Sequence, residues 1–287
     1  MLSFRRPPEP DHFERRVAKV RAEISAMAGR GVCPKSEHFD GRWKEFRAVF
    51  VKAQLRKCAY CERDVTSTSY GDVEHVRPKA GIQELTADPS RWGEETEGDG
   101  VTGRAPRDVS SWGYHWLAYT WTNYVLACEK CNRAWKKNLF PLAEGPRLLP
   151  PSAAKQETPL LLNPFEGPDP VKHLAFDEWG QISARDGSRH GEATIRTCGL
   201  HREALRYRRE DVAKRLHQLL LELEKASSEG ETGDLLSKVE QLGAPDREHA
   251  GMVRSMFEVR FRVDWRECFG DDEAPGELPP APAAAAP

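Results

Sequence analysis

Apolar residues recur every three or four positions near the start of the chain, a spacing that predicts amphipathic helices. Within residues 11–28 it runs from Phe13 to Met27, and two glycines follow that can end the helix. A second helix is predicted from about Arg42 to Lys57, and it leads directly into Cys58. Both apolar faces are expected to pack on a core. Their basic faces are an alternative contact for a phosphate backbone.

The remaining pattern predicts short strands and more helices after the first half of the chain. Short strands are expected within residues 160–183. A helix is predicted over 201–226 with an apolar, leucine-rich stripe on one face. Its other faces carry Arg202, Arg206 and Arg209, which are candidates to extend a nucleic-acid channel. Two further helices are predicted over 234–242 and 246–268. The resulting organisation is N-terminal helices over 1–57, a central unit over 58–142 with an inserted loop over 82–111, a linker with strands and a basic helix over 143–230, C-terminal helices over 231–270, and a disordered tail over 271–287.

Composition adds limits on the class of protein. The chain has 287 residues of which 39% are hydrophobic, enough to bury a core in one or two domains. Its net charge of −2 does not favour non-specific binding of nucleic acid by the whole surface, so any such contact must come from local patches. No apolar run is typical of a signal peptide or a membrane span, and we therefore expect a cytoplasmic protein.

Four of the seven cysteines form two Cys-x-x-Cys pairs, Cys58 with Cys61 and Cys128 with Cys131. Two such pairs are typical of a tetrahedral zinc site made of four thiolates. A redox function would need only one pair and a thioredoxin-like strand and helix around it, which this sequence lacks. Four protein ligands leave no open coordination position, so the predicted zinc is structural.

Between the cysteine pairs stand a Glu-His dipeptide and a separate asparagine, and a second asparagine follows the last cysteine. The order Cys-x-x-Cys, Glu-His-x-x-Pro, Asn, Cys-x-x-Cys-Asn resembles the HNH endonucleases that carry a four-cysteine zinc site. The segments 116–123, 131–136, 140–142, 159–164 and 195–202 resemble more narrowly the bacterial HNH proteins that include the nuclease of Septu and retron anti-phage systems. The resemblance implies an α+β fold with a zinc-stapled ββα-metal core and helical additions at both ends.

The resemblance also assigns roles to individual residues. His75 corresponds to the general base, and Asn123 corresponds to the asparagine that pins the adjoining loop and orients that base. Glu74 and Asn132 correspond to the ligands of a catalytic Mg²⁺ or Mn²⁺ ion. The last position of the motif is Asn here rather than the commoner His, and the 82–111 insertion is a further departure.

These residue types suit phosphodiester hydrolysis in their own right. A neutral imidazole can accept a proton from water near neutral pH, and a hard divalent ion prefers oxygen ligands and keeps positions open for substrate. Candidate phosphate contacts are Arg77, Lys79, Arg133, Lys136 and Lys137.

The implied function is hydrolysis of DNA to products with a 5′-phosphate and a 3′-hydroxyl, in anti-phage defence beside an ATPase or other sensor partner. Two alternatives remain: a nuclease acting on RNA or tRNA, and a catalytically inactive zinc-organised nucleic-acid-binding module.

Overall fold

Short strands and helices alternate along the chain in this computed structural model, which describes residues 1–66, 71–85, 107–143 and 157–270. The middle of the predicted insertion, most of the proline-rich linker and the predicted tail lie outside those ranges. The α-helices are α1 (Phe13–Gly29), α2 (Arg47–Ala53), α3 (Arg189–Cys198), α4 (Glu203–Leu223), α5 (Glu229–Gly243), α6 (Ala250–Phe261) and α7 (Trp265–Phe269). A π-helix covers Lys130–Lys136. The strands are β1 (Asp72–His75), β2 (Ile82–Glu84), β3 (Arg107–Ser110), β4 (Tyr124–Ala127), β5 (Leu174–Phe176) and β6 (Ile182–Ala184). This mixture of helices and small sheets is consistent with the α+β class.

The two N-terminal helices form where the apolar spacing predicts them. α1 buries Phe13 and other members of its apolar stripe. The second predicted helix begins as a 3-10 turn over Arg42–Phe46, continues as α2 and stops at Ala53, before its predicted end. It stops there because Leu55 and Arg56 adopt left-handed backbone conformations with φ of 51° and 63°. That turn redirects the chain into the first cysteine pair.

β1 and β4 form a two-stranded antiparallel sheet in which Glu74 lies opposite Val125 and His75 lies opposite Tyr124. The side chain of Gln54 extends the pairing of β4, because its amide accepts from the Leu126 backbone N–H at 2.7 Å and donates to the Leu126 carbonyl at 3.0 Å. Gln54 is fully buried, so these bonds satisfy backbone groups that water cannot reach. The connection from α2 thus fixes the sheet that carries Glu74 and His75.

The ends of the predicted inserted loop are themselves strands. β2 pairs with β3 in antiparallel fashion, with a register shift between Ile82 and Gln83. Three or four residues give too short an alternation to be recognised among polar neighbours, which is why sequence pattern alone predicts a loop. β5 and β6 form the pair of short strands expected after the linker.

The C-terminal part is helical and has its own apolar cluster. α4 to α7 bury Leu216, Val239, Phe257 and Trp265 among other apolar side chains. The helix predicted over 246–268 is divided into α6 and α7, because Arg262 has a left-handed conformation with φ of 57°. In the residues that the structure describes, no helix is both long and apolar enough to cross a bilayer.

Glu62 directly follows Cys61 and connects the segment of the first cysteine pair to the C-terminal helices. Its carboxylate is 3% exposed, lies 3.0 Å from the amino group of Met1 and 3.4 Å from the Lys57 ammonium, and accepts from the Gly251 backbone N–H. Burial alone would raise the pKa of Glu62, but the Met1 ammonium and Lys57 outweigh it and lower the pKa to about 2. The carboxylate therefore stays ionised inside the fold.

Candidate functional site

The two cysteine pairs meet although the sequence places them far apart. Cys58, Cys61, Cys128 and Cys131 are all buried, and their sulfur atoms lie within 4.8 Å of one another. In the part of the chain that the structure describes, this is the one group of three or more Cys, His, Asp or Glu side chains close enough to share an ion. The predicted convergence of the two pairs is confirmed.

The spacing of the sulfur atoms fits zinc. A tetrahedron with Zn–S bonds of about 2.3 Å has edges of about 3.8 Å. The Sγ atoms of Cys61 and Cys128 are 3.8 Å apart. Backbone N–H groups also point at the sulfurs: that of Cys128 donates to Cys58 Sγ at 3.3 Å, and that of Cys131 donates to Cys128 Sγ at 3.5 Å. The four side chains could therefore hold one zinc ion in a closed, structural site.

Arg202 lies against this cluster instead of facing a nucleic-acid channel. Its guanidinium donates to Cys131 Sγ at 3.5 Å and to the carbonyl oxygens of Cys198 and Gly199 at the end of α3. Burial lowers the pKa of Arg202, but the sulfurs of the cluster, chiefly Cys131, outweigh burial and raise it. Arg209 is 3% exposed and donates to the Leu200 carbonyl, so the prediction that it extends a channel is wrong.

Glu74 and Lys136 form a buried ion pair, and Lys136 lies on the same π-helix as Cys131. The Lys136 ammonium lies 2.7 Å from Glu74 Oε1 and 2.9 Å from the His75 carbonyl oxygen. Lys136 is fully buried and Glu74 is 8% exposed. This arrangement does not match the predicted phosphate contact of Lys136, because the side chain is fully buried and its ammonium group pairs with Glu74.

His75 is buried on the opposite side of β1, as successive strand residues point to opposite faces. Its ring packs edge-on against Trp43 and Tyr124, with centroids 4.6 Å and 5.2 Å away. His75 Nε2 is 2.9 Å from the carbonyl oxygen of Ala118. A carbonyl can only accept, so in the neutral ring Nε2 carries the proton and Nδ1 presents a lone pair.

The charge state of His75 follows from the same surroundings. Burial lowers the pKa of His75 well below its ordinary range, and the nearby ammonium groups of Lys79 and Lys136 lower it further, against the hydrogen bond to Ala118. The imidazole is therefore neutral at pH 7. A neutral ring with Nδ1 unprotonated is the form that a general base requires.

Asn123 secures the backbone immediately after His75. Its Oδ1 accepts from the Arg77 N–H at 2.8 Å, and its Nδ2 donates to the carbonyls of Arg77 at 3.0 Å and Leu117 at 3.1 Å. Its own carbonyl accepts from the Val76 N–H at 2.9 Å. These contacts are of the kind that the resemblance implies for the middle asparagine.

Asn132 lies in the first turn of the π-helix, half-buried, and its carbonyl accepts from the Lys137 N–H at 2.8 Å. An amide oxygen there and a carboxylate on β1 are the hard donors that Mg²⁺ and Mn²⁺ prefer, so the donor types fit a divalent ion. Such an ion would share Glu74 with Lys136.

The other predicted phosphate contacts differ in exposure. Arg133 is 63% exposed and pairs with Asp72 at 2.9 Å, and Lys137 is exposed. Lys79 is half-buried with its ammonium over the Trp43 ring at 4.9 Å, and Arg77 is paired with Glu157 and lies over the Phe140 ring. Arg133 and Lys137 thus have the most freedom to reach a ligand.

Two features of the site have no signal in the sequence pattern. Neither the pairing of Lys136 with Glu74 nor that of Arg202 with Cys131 follows from spacing along the chain. Trp43, which packs on His75, is identifiable only as one member of an apolar helical face.

The fold and site define a protein of small sheets and helices with a zinc-capable four-cysteine cluster and with a buried carboxylate and a buried histidine on strand β1. No family model matches the chain. It is similar to the Septu protein PtuB of Bacillus mycoides (strain KBAB4), with 39% identity over 159 residues. The aligned region is 55% of this chain and 47% of that protein, so the chain spans about half the length of the relative it matches.

Proposed function

We propose that this protein is an HNH endonuclease that hydrolyses phosphodiester bonds in DNA, with a structural zinc and a catalytic Mg²⁺ or Mn²⁺ ion. The observation that carries the proposal is His75, a buried neutral imidazole whose tautomer is fixed by Ala118, in a chain that also holds a zinc-capable four-cysteine cluster. In the proposal, β1, β4 and the π-helix correspond to the ββα-metal core. The similarity to a Septu protein supports a role in anti-phage defence, together with an ATPase or other sensor partner.

In the proposed reaction, His75 Nδ1 accepts the proton of the attacking water, while Ala118 and the packing of Trp43 hold the ring in place. Asn123 keeps the segment after His75 fixed, which maintains the direction of the base. Glu74 and Asn132 would hold the divalent ion, which supplies charge stabilisation for the phosphate when bound. Arg133 and Lys137 are proposed to contact the phosphate backbone.

The test compares the parent protein with His75→Ala on plasmid DNA and on RNA, with Mg²⁺ or Mn²⁺ added. Loss of a general base reduces the rate by about 10²–10⁴-fold, while zinc content should remain close to that of the parent; the cavity left by the buried ring is expected to lower the melting temperature, which is measured separately. His115→Ala is the matched control, because His115 is a half-buried histidine that contacts Trp112 and Trp116 outside the site. Equal cleavage by His75→Ala and the parent would refute the assignment of the base.

The same assay separates the alternatives. Cleavage of RNA or tRNA without cleavage of DNA would favour the RNA nuclease. Binding of both nucleic acids without cleavage of either would favour the zinc-organised binding module. The Glu74–Lys136 pair is the observation that favours the binding module, because a carboxylate already neutralised by an ammonium group does not need a metal ion to be stable.

A further inference from the structure

The Lys136 ammonium contacts Glu74, the same carboxylate that would attract the proposed divalent ion. It contacts the one carboxylate of the proposed ion site at 2.7 Å and the backbone of the proposed general base at 2.9 Å. Taking a lysine ammonium fully out of water is costly unless its charge is compensated. Without a metal ion, therefore, Lys136 and Glu74 stabilise each other.

The π-helix explains why Lys136 points inward. In an α-helix, residues five apart are rotated by about 140° relative to each other, so Cys131 and Lys136 would face different directions. The π-helix bonds residues five apart, as the Lys137 N–H does with the Asn132 carbonyl at 2.8 Å, and so brings such residues onto one face. Cys131, Trp135 and Lys136 are accordingly its buried residues. The cysteine cluster and Lys136 are thus set by the same turn.

A second ammonium group increases the positive charge near Glu74. Burial lowers the pKa of Lys79. The negative charge of Glu74 opposes this lowering, and the positive charge of Lys136 adds to it. Lys136 therefore contacts Glu74 directly, and Lys79 lies within electrostatic range of it. A divalent ion entering alone would be repelled by both, whereas a phosphate group arriving with it would offset this repulsion.

We propose that Lys136 is a positioning residue that acts as the resident counter-ion of Glu74, so that a divalent ion binds tightly only together with a phosphate-bearing substrate. The inference rests on the proposed function, since it concerns the ion site of the proposed nuclease. If Lys136 opposes ion binding, loss of its charge strengthens the binding of the divalent ion. If Lys136 only stabilised the structure, its loss would weaken that binding.

The experiment measures Mn²⁺ binding by electron paramagnetic resonance in the His75→Ala background, where turnover does not interfere. Lys136→Gln keeps a side chain that can donate to Glu74 and to the His75 carbonyl but removes the charge. We expect its Mn²⁺ dissociation constant without nucleic acid to tighten by about tenfold or more. Lys130→Gln is the matched control, because Lys130 is an exposed lysine of the same π-helix and should leave the dissociation constant unchanged. Unchanged or weaker binding by Lys136→Gln would overturn the proposal.

A second measurement needs no change at Lys136 and holds even where Lys136→Gln fails to fold. In the His75→Ala protein, a DNA duplex should tighten Mn²⁺ binding by about tenfold or more, through cancellation of the repulsion. The same Mn²⁺ affinity with and without DNA would contradict the inference.

With His75 intact, Lys136→Gln should also lower the Mn²⁺ concentration that gives half-maximal cleavage, whereas loss of a structural contact would raise it. If the parent protein cleaves no nucleic acid, the proposed function fails. The metal-only comparison of Lys136→Gln with Lys130→Gln still decides whether Lys136 opposes ion binding.

Discussion

Replacement of Arg202 by methionine should accelerate loss of zinc from the four-cysteine cluster. Four thiolates and one Zn²⁺ ion carry a net charge of −2 in a buried setting, and Arg202 places a guanidinium 3.5 Å from Cys131 Sγ. Methionine retains most of the aliphatic volume but neither the charge nor the donors. The substitution therefore tests whether this contact retains the metal.

The magnitude follows from the type of contact. A hydrogen bond to a charged group contributes about 1.5–3 kcal/mol, which corresponds to roughly 10–150-fold in an equilibrium constant. Residues that contact metal ligands in this way typically change metal affinity by about 10–100-fold. We therefore expect zinc release from Arg202→Met to a chromogenic chelator to be about tenfold to a hundredfold faster than from the parent.

The control is Arg206→Met, the same substitution one turn further along α4, where Arg206 pairs with Glu210 on the surface. Arg202→Lys keeps the positive charge and should recover part of the retention. Because Arg202 also donates to the carbonyls at the end of α3, thermal melts of the metal-free proteins measure that separate contribution. Equal zinc release by Arg202→Met and Arg206→Met would refute the electrostatic reasoning.

Two further predictions concern stability. Gly199→Ala should lower the melting temperature by roughly 2–10 °C more than Gly187→Ala. Both glycines have positive φ, but a Cβ at Gly199 would lie 1.8 Å from the Trp135 ring, whereas a Cβ at Gly187 would meet nothing within 4 Å. Equal melting temperatures would contradict this close approach. Burial lowers the pKa of His249 to about 4, below its unfolded value of about 6.5, so stability is complete above pH 6.5 and falls as pH decreases towards 4. Thermal melts at pH 7 and pH 5 should show a smaller loss for His249→Asn than for the parent, and an equal loss would show that His249 is not responsible.

Periodicity predicts those parts of the fold where one helix face packs on the core. α1 and α4 follow their apolar stripes, although α4 also buries Arg209, whose long side chain donates to the Leu200 carbonyl. α3 is not predicted, although Ser188 accepts from the Gly191 N–H at its start and Gly199 ends it in a left-handed conformation. Its buried face consists largely of small and polar side chains, so large apolar residues do not mark it in the sequence. Cap residues are the more informative signal there.

Spacing predicts the cysteine cluster because zinc chemistry restricts it. Each Cys-x-x-Cys pair supplies two ligands from one tight turn, and a closed site needs two such turns wherever they lie in the sequence. No comparable rule relates Arg202 to Cys131 or Glu62 to Met1, since a long side chain can reach any partner that the folded chain brings near. Charged contacts between distant segments therefore become visible only in the structure.

Lys136 and Lys137 show most directly what sequence pattern cannot decide. They are adjacent, chemically identical and equally plausible as phosphate contacts, yet one is fully buried against Glu74 and the other is exposed. The difference arises because the π-helix ends at Lys136, and Lys137 turns the chain outward with φ of 47°. A one-residue change in helical register thus determines which lysine sits beside the carboxylate proposed to bind the catalytic ion. For the same reason, a substitution that converts this turn to an α-helix should disturb the proposed ion site more than loss of either exposed cation, Arg133 or Lys137.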